Sequence, residues 1–203
     1  MKNMEKEVIL HYNASRKAIQ ARLKDFRNLP EKDYFYEHLF CLLTPQSNAK
    51  KCWEAVEQLK KGIPKTDKQI ASILKSKTRF HNNKAKYVLQ ATKNWNQTKQ
   101  LLNNSNTGEL RDTLAKNIKG YGLKEAGHFL RNIGKSNNKV AILDRHILRN
   151  LVALQVIDSD KIKNDNHYKE IEQKYLQFAQ QAGIPADELD LVFWSKENGD
   201  IFK

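Results

Sequence analysis

Two side chains carry the chemistry that this sequence suggests. Lys124 follows the turn Gly120-Tyr121-Gly122 by two residues, on the first turn of a predicted helix. At a helix N-terminus the backbone dipole disfavours an ammonium, and burial beside other cations would favour the free amine, a nucleophile. The alternative for Lys124 is a simple phosphate contact. Asp144 lies twenty residues further on, after the apolar run Val140-Ala141-Ile142-Leu143 and before a helical stretch. That is the place of an N-cap, which needs no catalytic role. A carboxylate there could also take a proton from an amine or stabilise developing positive charge.

The elements that would hold Lys124 are legible around it. In residues 114–134 Leu114 and Ile118 close one helix, and Ala126, Phe129, Leu130 and Ile133 restart helical spacing. Four of the eight glycines fall in Gly120–Gly134, and the two of the turn, Gly120 and Gly122, permit backbone angles closed to other residues. The pattern is that of a helix-hairpin-helix. Its turn, Gly120, Tyr121 and Gly122, can bring backbone N–H groups to a phosphate at a helix N-terminus. Tyr121 is expected to pack inward and Ala126 to sit where the helices cross. A hairpin of this kind binds a nucleic-acid backbone and by itself specifies no reaction.

The rest of the chain reads as helix. Val8, Tyr12, Ile19, Leu23 and Phe26 recur at helical spacing, and further helices are expected near 33–43, 48–61, 67–75, 82–95 and 168–182. No stretch of four residues alternates as a half-buried strand would. Breaks fall at Pro30, Pro45, Gly62–Pro64, 103–107, Asn137–Asn138 and Gly183–Pro185. About nine or ten short helices make an all-α protein.

Charge is unevenly distributed. The net charge is +13, and residues 50–100 hold 13 basic against 3 acidic side chains, while 152–203 hold 6 against 10. A polyanion, nucleic acid above all, explains a basic middle better than solubility does. Apolar content of 39% excludes a disordered chain. The longest apolar run, Leu39–Leu43, is far short of a membrane span, and the N-terminus has no signal-peptide core. Two cysteines, Cys41 and Cys52, cannot alone make a zinc site or an iron–sulfur cluster, and they fit a reduced, cytoplasmic setting.

The hairpin, Lys124 and Asp144 together resemble the signature of the helix-hairpin-helix DNA glycosylase superfamily. Leu42-Leu43-Thr44-Pro45-Gln46-Ser47-Asn48 resembles the segment before the DNA-wedge helix of these enzymes. Phe80-His81-Asn82-Asn83-Lys84-Ala85 resembles the start of a further helix of the same barrel. The ending Trp194–Lys203 and the short length are similar to the archaeal-type second family of 8-oxoguanine DNA glycosylase/lyases. The chain lacks the four-cysteine cluster of the endonuclease III branch.

The resemblance implies a two-lobed fold with the active site in the cleft between lobes. One lobe would span 37–136 and the other 1–36 with 137–203. It implies a bifunctional enzyme that flips a damaged base out of duplex DNA. Lys124 would be the nucleophile and Asp144 its catalytic carboxylate. Gln46 would be the DNA wedge, and Gly120, Tyr121 and Gly122 the backbone-binding turn. Phe80 and Trp194 would sandwich the flipped base. Lys203, as the last residue, would offer its α-carboxylate to the N7–H of 8-oxoguanine. His146 is equally a phosphate contact or a structural hydrogen bond. Neither metal nor cofactor is implied, and the expected protein is a monomer at the nucleoid. An oxidised-pyrimidine glycosylase of the same fold and a non-enzymatic DNA-binding hairpin remain the alternatives.

Overall fold

The computed structural model describes residues 2–203. Among them are ten α-helices, one 3-10 turn and no strand. In order these are α1 (Lys2–Arg27), the 3-10 turn Glu31–Asp33, α2 (Tyr34–Leu43), α3 (Ala49–Lys60) and α4 (Asp67–Leu74). There follow α5 (His81–Leu101), α6 (Thr107–Asn117), α7 (Leu123–Asn132), α8 (Arg145–Ala153), α9 (Asp165–Ala182) and α10 (Ala186–Asn198). None of the described helices is long and apolar enough to cross a membrane.

Side-chain caps start the helices where the sequence breaks. Asn48, Thr66, Asn106 and Asn164 each accept a backbone N–H from the first turn of α3, α4, α6 and α9. The expected helix at 82–95 runs further, from His81 to Leu101. Its last six residues, Asn-Gln-Thr-Lys-Gln-Leu, show no apolar face, yet Thr98 and the following Leu102 are buried. Tertiary burial extends the helix past the end of its periodic pattern.

The chain divides into two compact units, Leu29–Phe129 and Met1–Asn28 with Leu130–Lys203. In the first, α2 is buried on every side from Leu39 to Leu43, and α5 packs on α4 and α2. Cys41 and Cys52 are free buried thiols in this unit. In the second, α1 lies along α10 and buries Val8, Tyr12, Ile19, Leu23 and Phe26, the stripe the sequence displays. Tyr12 donates to Glu188 at 2.7 Å, and His11 and Ser195 are 2.9 Å apart. Gly134, with φ +69, lets the backbone pass Arg27 so closely that a Cβ would lie 2.6 Å from its Cα.

Candidate active site

The hairpin joins α6 to α7. Leu114, Ile118, Ala126 and Phe129 are buried as their spacing predicts. Gly120 has φ +96, and a Cβ there would come within 2.7 Å of the Tyr87 ring, so both conformation and space demand glycine. Tyr121 turns inward. Its oxygen lies 2.8 Å from His38 Nδ1, and its hydroxyl donates to the His38 carbonyl at 3.3 Å. A proton on Nδ1 satisfies both groups at once. Burial pulls the His38 pKa down from 6.5 to about 3, so the ring is neutral. It stacks on Trp95 and touches Phe129, which fixes the turn to the core.

Two of the turn's N–H groups are bonded within the protein. Tyr121 N–H donates to the Ile118 carbonyl at 3.1 Å, and Gly122 N–H donates to Glu125 Oε2 at 3.1 Å. The second bond is half of a capping box, a glutamate three residues into the helix reaching back to the N-cap N–H. Gly122 brings no side chain to the remaining first-turn N–H groups of α7, which have no partner within their own helix.

Lys124 is the second residue of α7, and its Nζ lies 3.1 Å from Glu125 Oε1. Glu125 therefore holds the turn with one oxygen and the lysine with the other. Both side chains are largely buried, at 23% and 14% exposure. Glu125 is not among the residues that the sequence singles out, although its spacing from Gly122 is a capping-box signal.

Lys84 was also missed as a site residue. Its Nζ donates to the carbonyls of Leu43 at 2.7 Å and Pro45 at 2.8 Å, and to Thr78 Oγ1 at 2.7 Å and Ser47 Oγ at 3.0 Å. Burial pulls its pKa from 10.5 down to about 8, opposed by Cys52 and reinforced by the charges of Lys124 and Arg79.

Gln46 and Phe80 lie on loops of the same unit. Gln46 is exposed with φ 56, in the turn closed by Ser47 N–H to the Thr44 carbonyl at 2.9 Å. Phe80 is 52% exposed with φ 57, and the Arg79 guanidinium lies 5.3 Å from its ring centre. An aromatic ring so open to water is not part of the core.

Asp144, Trp194 and Lys203 belong to the other unit. Val140–Leu143 are buried and irregular, stitched in place by Ala141 N–H to Glu172 at 2.7 Å and Leu143 N–H to Tyr168 at 3.2 Å. Asp144 then caps α8 as predicted, with Oδ1 accepting from His146 N at 2.8 Å and Ile147 N at 2.9 Å. Both bonds fall on one oxygen, so Oδ2 takes no part in the cap. His146 contacts Glu197 through Nδ1, the structural bond of its two readings. Trp194 is half-buried with its ring centre 6.4 Å from that of Phe202, and Lys203 Nζ lies 5.9 Å from the Phe26 ring centre.

The sequence pattern of the 8-oxoguanine DNA glycosylase family matches residues 19–184. The chain belongs to this family. It is 44% identical to the 8-oxoguanine DNA glycosylase/AP lyase of Fusobacterium nucleatum, over 90% of this chain and 89% of that one. The crystal structure of the 8-oxoguanine DNA glycosylase of Thermotoga maritima superposes with a TM-score of 0.90 at 28% identity, covering 100% of both chains. That of the Methanocaldococcus jannaschii 8-oxoguanine glycosylase/lyase, in complex with a 15mer DNA containing 8-oxoguanine, gives 0.88 at 30% identity and covers 100% of both. The all-helical class expected from the periodicity and the glycosylase fold that the resemblance implies are the fold observed.

Proposed function

We infer that this protein excises 8-oxoguanine from duplex DNA and then cuts the strand at the resulting site. What carries the inference is Lys124 at the start of α7, behind a glycine hairpin, in a chain 44% identical to an 8-oxoguanine DNA glycosylase/AP lyase.

The lesion is first turned out of the duplex. The free amine of Lys124 attacks C1′ of the deoxyribose, and the bond from C1′ to the base breaks, the base leaving with its electron pair and a proton. The sugar ring opens as the lysine nitrogen and C1′ form a Schiff base. Loss of a proton from C2′ then expels the 3′-oxygen, cutting the strand by β-elimination, and water releases the enzyme. In this scheme Asp144 accepts a proton from Lys124 and stabilises positive charge on the sugar through the oxygen its cap leaves unused. Gln46 fills the gap in the duplex, and Phe80, Trp194 and Lys203 meet the flipped base. First-turn N–H groups of α7 receive a phosphate, with Gly120, Tyr121 and Gly122 shaping the turn. The enzyme acts as a monomer, in the cytoplasm at the nucleoid, and needs no cofactor because Lys124 supplies the nucleophile.

The test is incubation with a duplex carrying one 8-oxoguanine, with and without borohydride. Wild type is expected to cut the strand and form a trapped adduct. Lys124→Gln should bind DNA and do neither. Asp144→Asn keeps the cap, since Asn and Asp cap about equally well, yet should slow excision on the order of 10²-fold. A trapped adduct at full yield in Lys124→Gln would move the nucleophile elsewhere.

A further inference from the structure

Gln46 and Phe80 share an uncommon conformation. Both are exposed, both have φ near +57°, and neither is glycine. With Pro45 at its second position and a positive φ at its third, Thr44–Ser47 is a type II turn, where glycine or asparagine is usual. A side chain in this region costs about 1–2 kcal/mol and persists only where its surroundings over-determine it.

The surroundings are one ammonium. Lys84 is 4% exposed, and its side chain runs back from the first turn of α5 to four neutral acceptors. Three of them, Leu43, Pro45 and Ser47, bracket Gln46. The fourth, Thr78, belongs to the segment that ends in Phe80, and Lys84 N–H itself closes the helix onto the Phe80 carbonyl at 3.0 Å. Ser47 Oγ ties the two segments further, lying 2.8 Å from Thr78 Oγ1 and accepting Arg79 N–H at 3.0 Å. A buried ammonium with only neutral partners is expensive, and an apolar side chain would serve packing better. Resting on the assignment of Gln46 and Phe80 to the DNA-contacting set, we propose that Lys84 is a positioning residue that holds both loops so that Gln46 and Phe80 are presented to the damaged strand together.

The experiment measures single-turnover 8-oxoguanine excision per folded molecule, alongside the fluorescence of a 2-aminopurine next to the lesion, which reports unstacking. Lys84→Met should lower excision on the order of 10²-fold and lose the fluorescence rise, while duplex affinity changes by less than about threefold. A purely structural role predicts a lower melting temperature with the wild-type rate and fluorescence per folded molecule, and that result overturns the proposal. If Lys84→Met does not fold, Ser47→Ala, which removes a single acceptor, carries the test. A loss of about tenfold supports the clamp, and a wild-type rate refutes it. Gln46→Ala and Phe80→Ala separate the two layers. If both are impaired and Lys84→Met is not, only the clamp falls. If both excise at the wild-type rate, the site assignment and the clamp fall together.

Discussion

The unit Leu29–Phe129 puts backbone into the left-handed region in two different ways. At the hairpin, Gly120 does it without side-chain strain, and the Tyr87 ring fills the space a Cβ would take. At the loops around Gln46 and Phe80, ordinary residues are held there by the hydrogen bonds of a buried lysine. A glycine turn is robust and presents nothing but backbone. A strained turn is costly and presents a side chain. That is the division of labour expected if the hairpin positions a nucleophile and the loops must insert groups into DNA.

The largest expected effect is at the hairpin. Gly120→Ala forces φ +96 on a side chain and drives Cβ into the Tyr87 ring, so it should destabilise by roughly 2–5 kcal/mol. Gly122→Ala meets only the Glu125 carboxylate, at 3.3 Å, and should cost less than about 1 kcal/mol. Urea melts of the two compare them directly, and equal losses would deny the hairpin its dependence on one glycine.

Next is the charge in the loop clamp. The folded pKa of Lys84 is lowered, to about 8 from 10.5, so the unfolded chain binds more protons between those values. Stability from this group is therefore fully present above pH 10.5 and is lost as pH falls through 8. Wild type should gain on Lys84→Met by on the order of 1 kcal/mol per pH unit as pH rises across this window. The charges of Arg79, Lys124, Cys52 and Glu125 act on the same site, so the comparison is with Lys84→Met at each pH. A constant difference between the two would mean that folding leaves the pKa of Lys84 where it stands in the unfolded chain.

The smallest effect isolates the strain itself. Gln46→Gly should be about 1 kcal/mol more stable than Gln46→Ala, because only glycine relaxes at φ 56. Both lack the side chain proposed to fill the gap in the duplex and should be equally slow on duplex 8-oxoguanine. Equal melting temperatures for the pair would mean that the turn stores no strain.

Glycines, caps and apolar periodicity are written in one dimension, and so the hairpin, the all-helical class and the Asp144 cap could be read from the sequence. Val8 to Phe26 give α1 because a buried stripe must recur every three or four residues. The function of Lys84 could not be read this way. A lysine among thirteen basic residues in 50–100 gives no sign of being the buried one, because its partners are carbonyls and hydroxyls far along the chain. Gln46 has no residue type that announces a positive φ. Glu125 was readable in principle through its spacing from Gly122, but its second contact, to Lys124, depends on the rotamers of both side chains.

The unit that contains Asp144 is built from both ends of the chain, with α1 laid along α10. Synthesis therefore delivers its parts out of step. At about 5–20 residues per second, the ribosome makes α10 roughly 10–30 s after α1. Through that interval the buried stripe of α1 lacks the helix it packs along, while Leu29–Phe129, continuous in sequence, can already collapse. A nascent chain thus holds its candidate nucleophile, Lys124, well before the helix that covers α1 exists. The order of translation therefore lets this unit close only after α10 has been made.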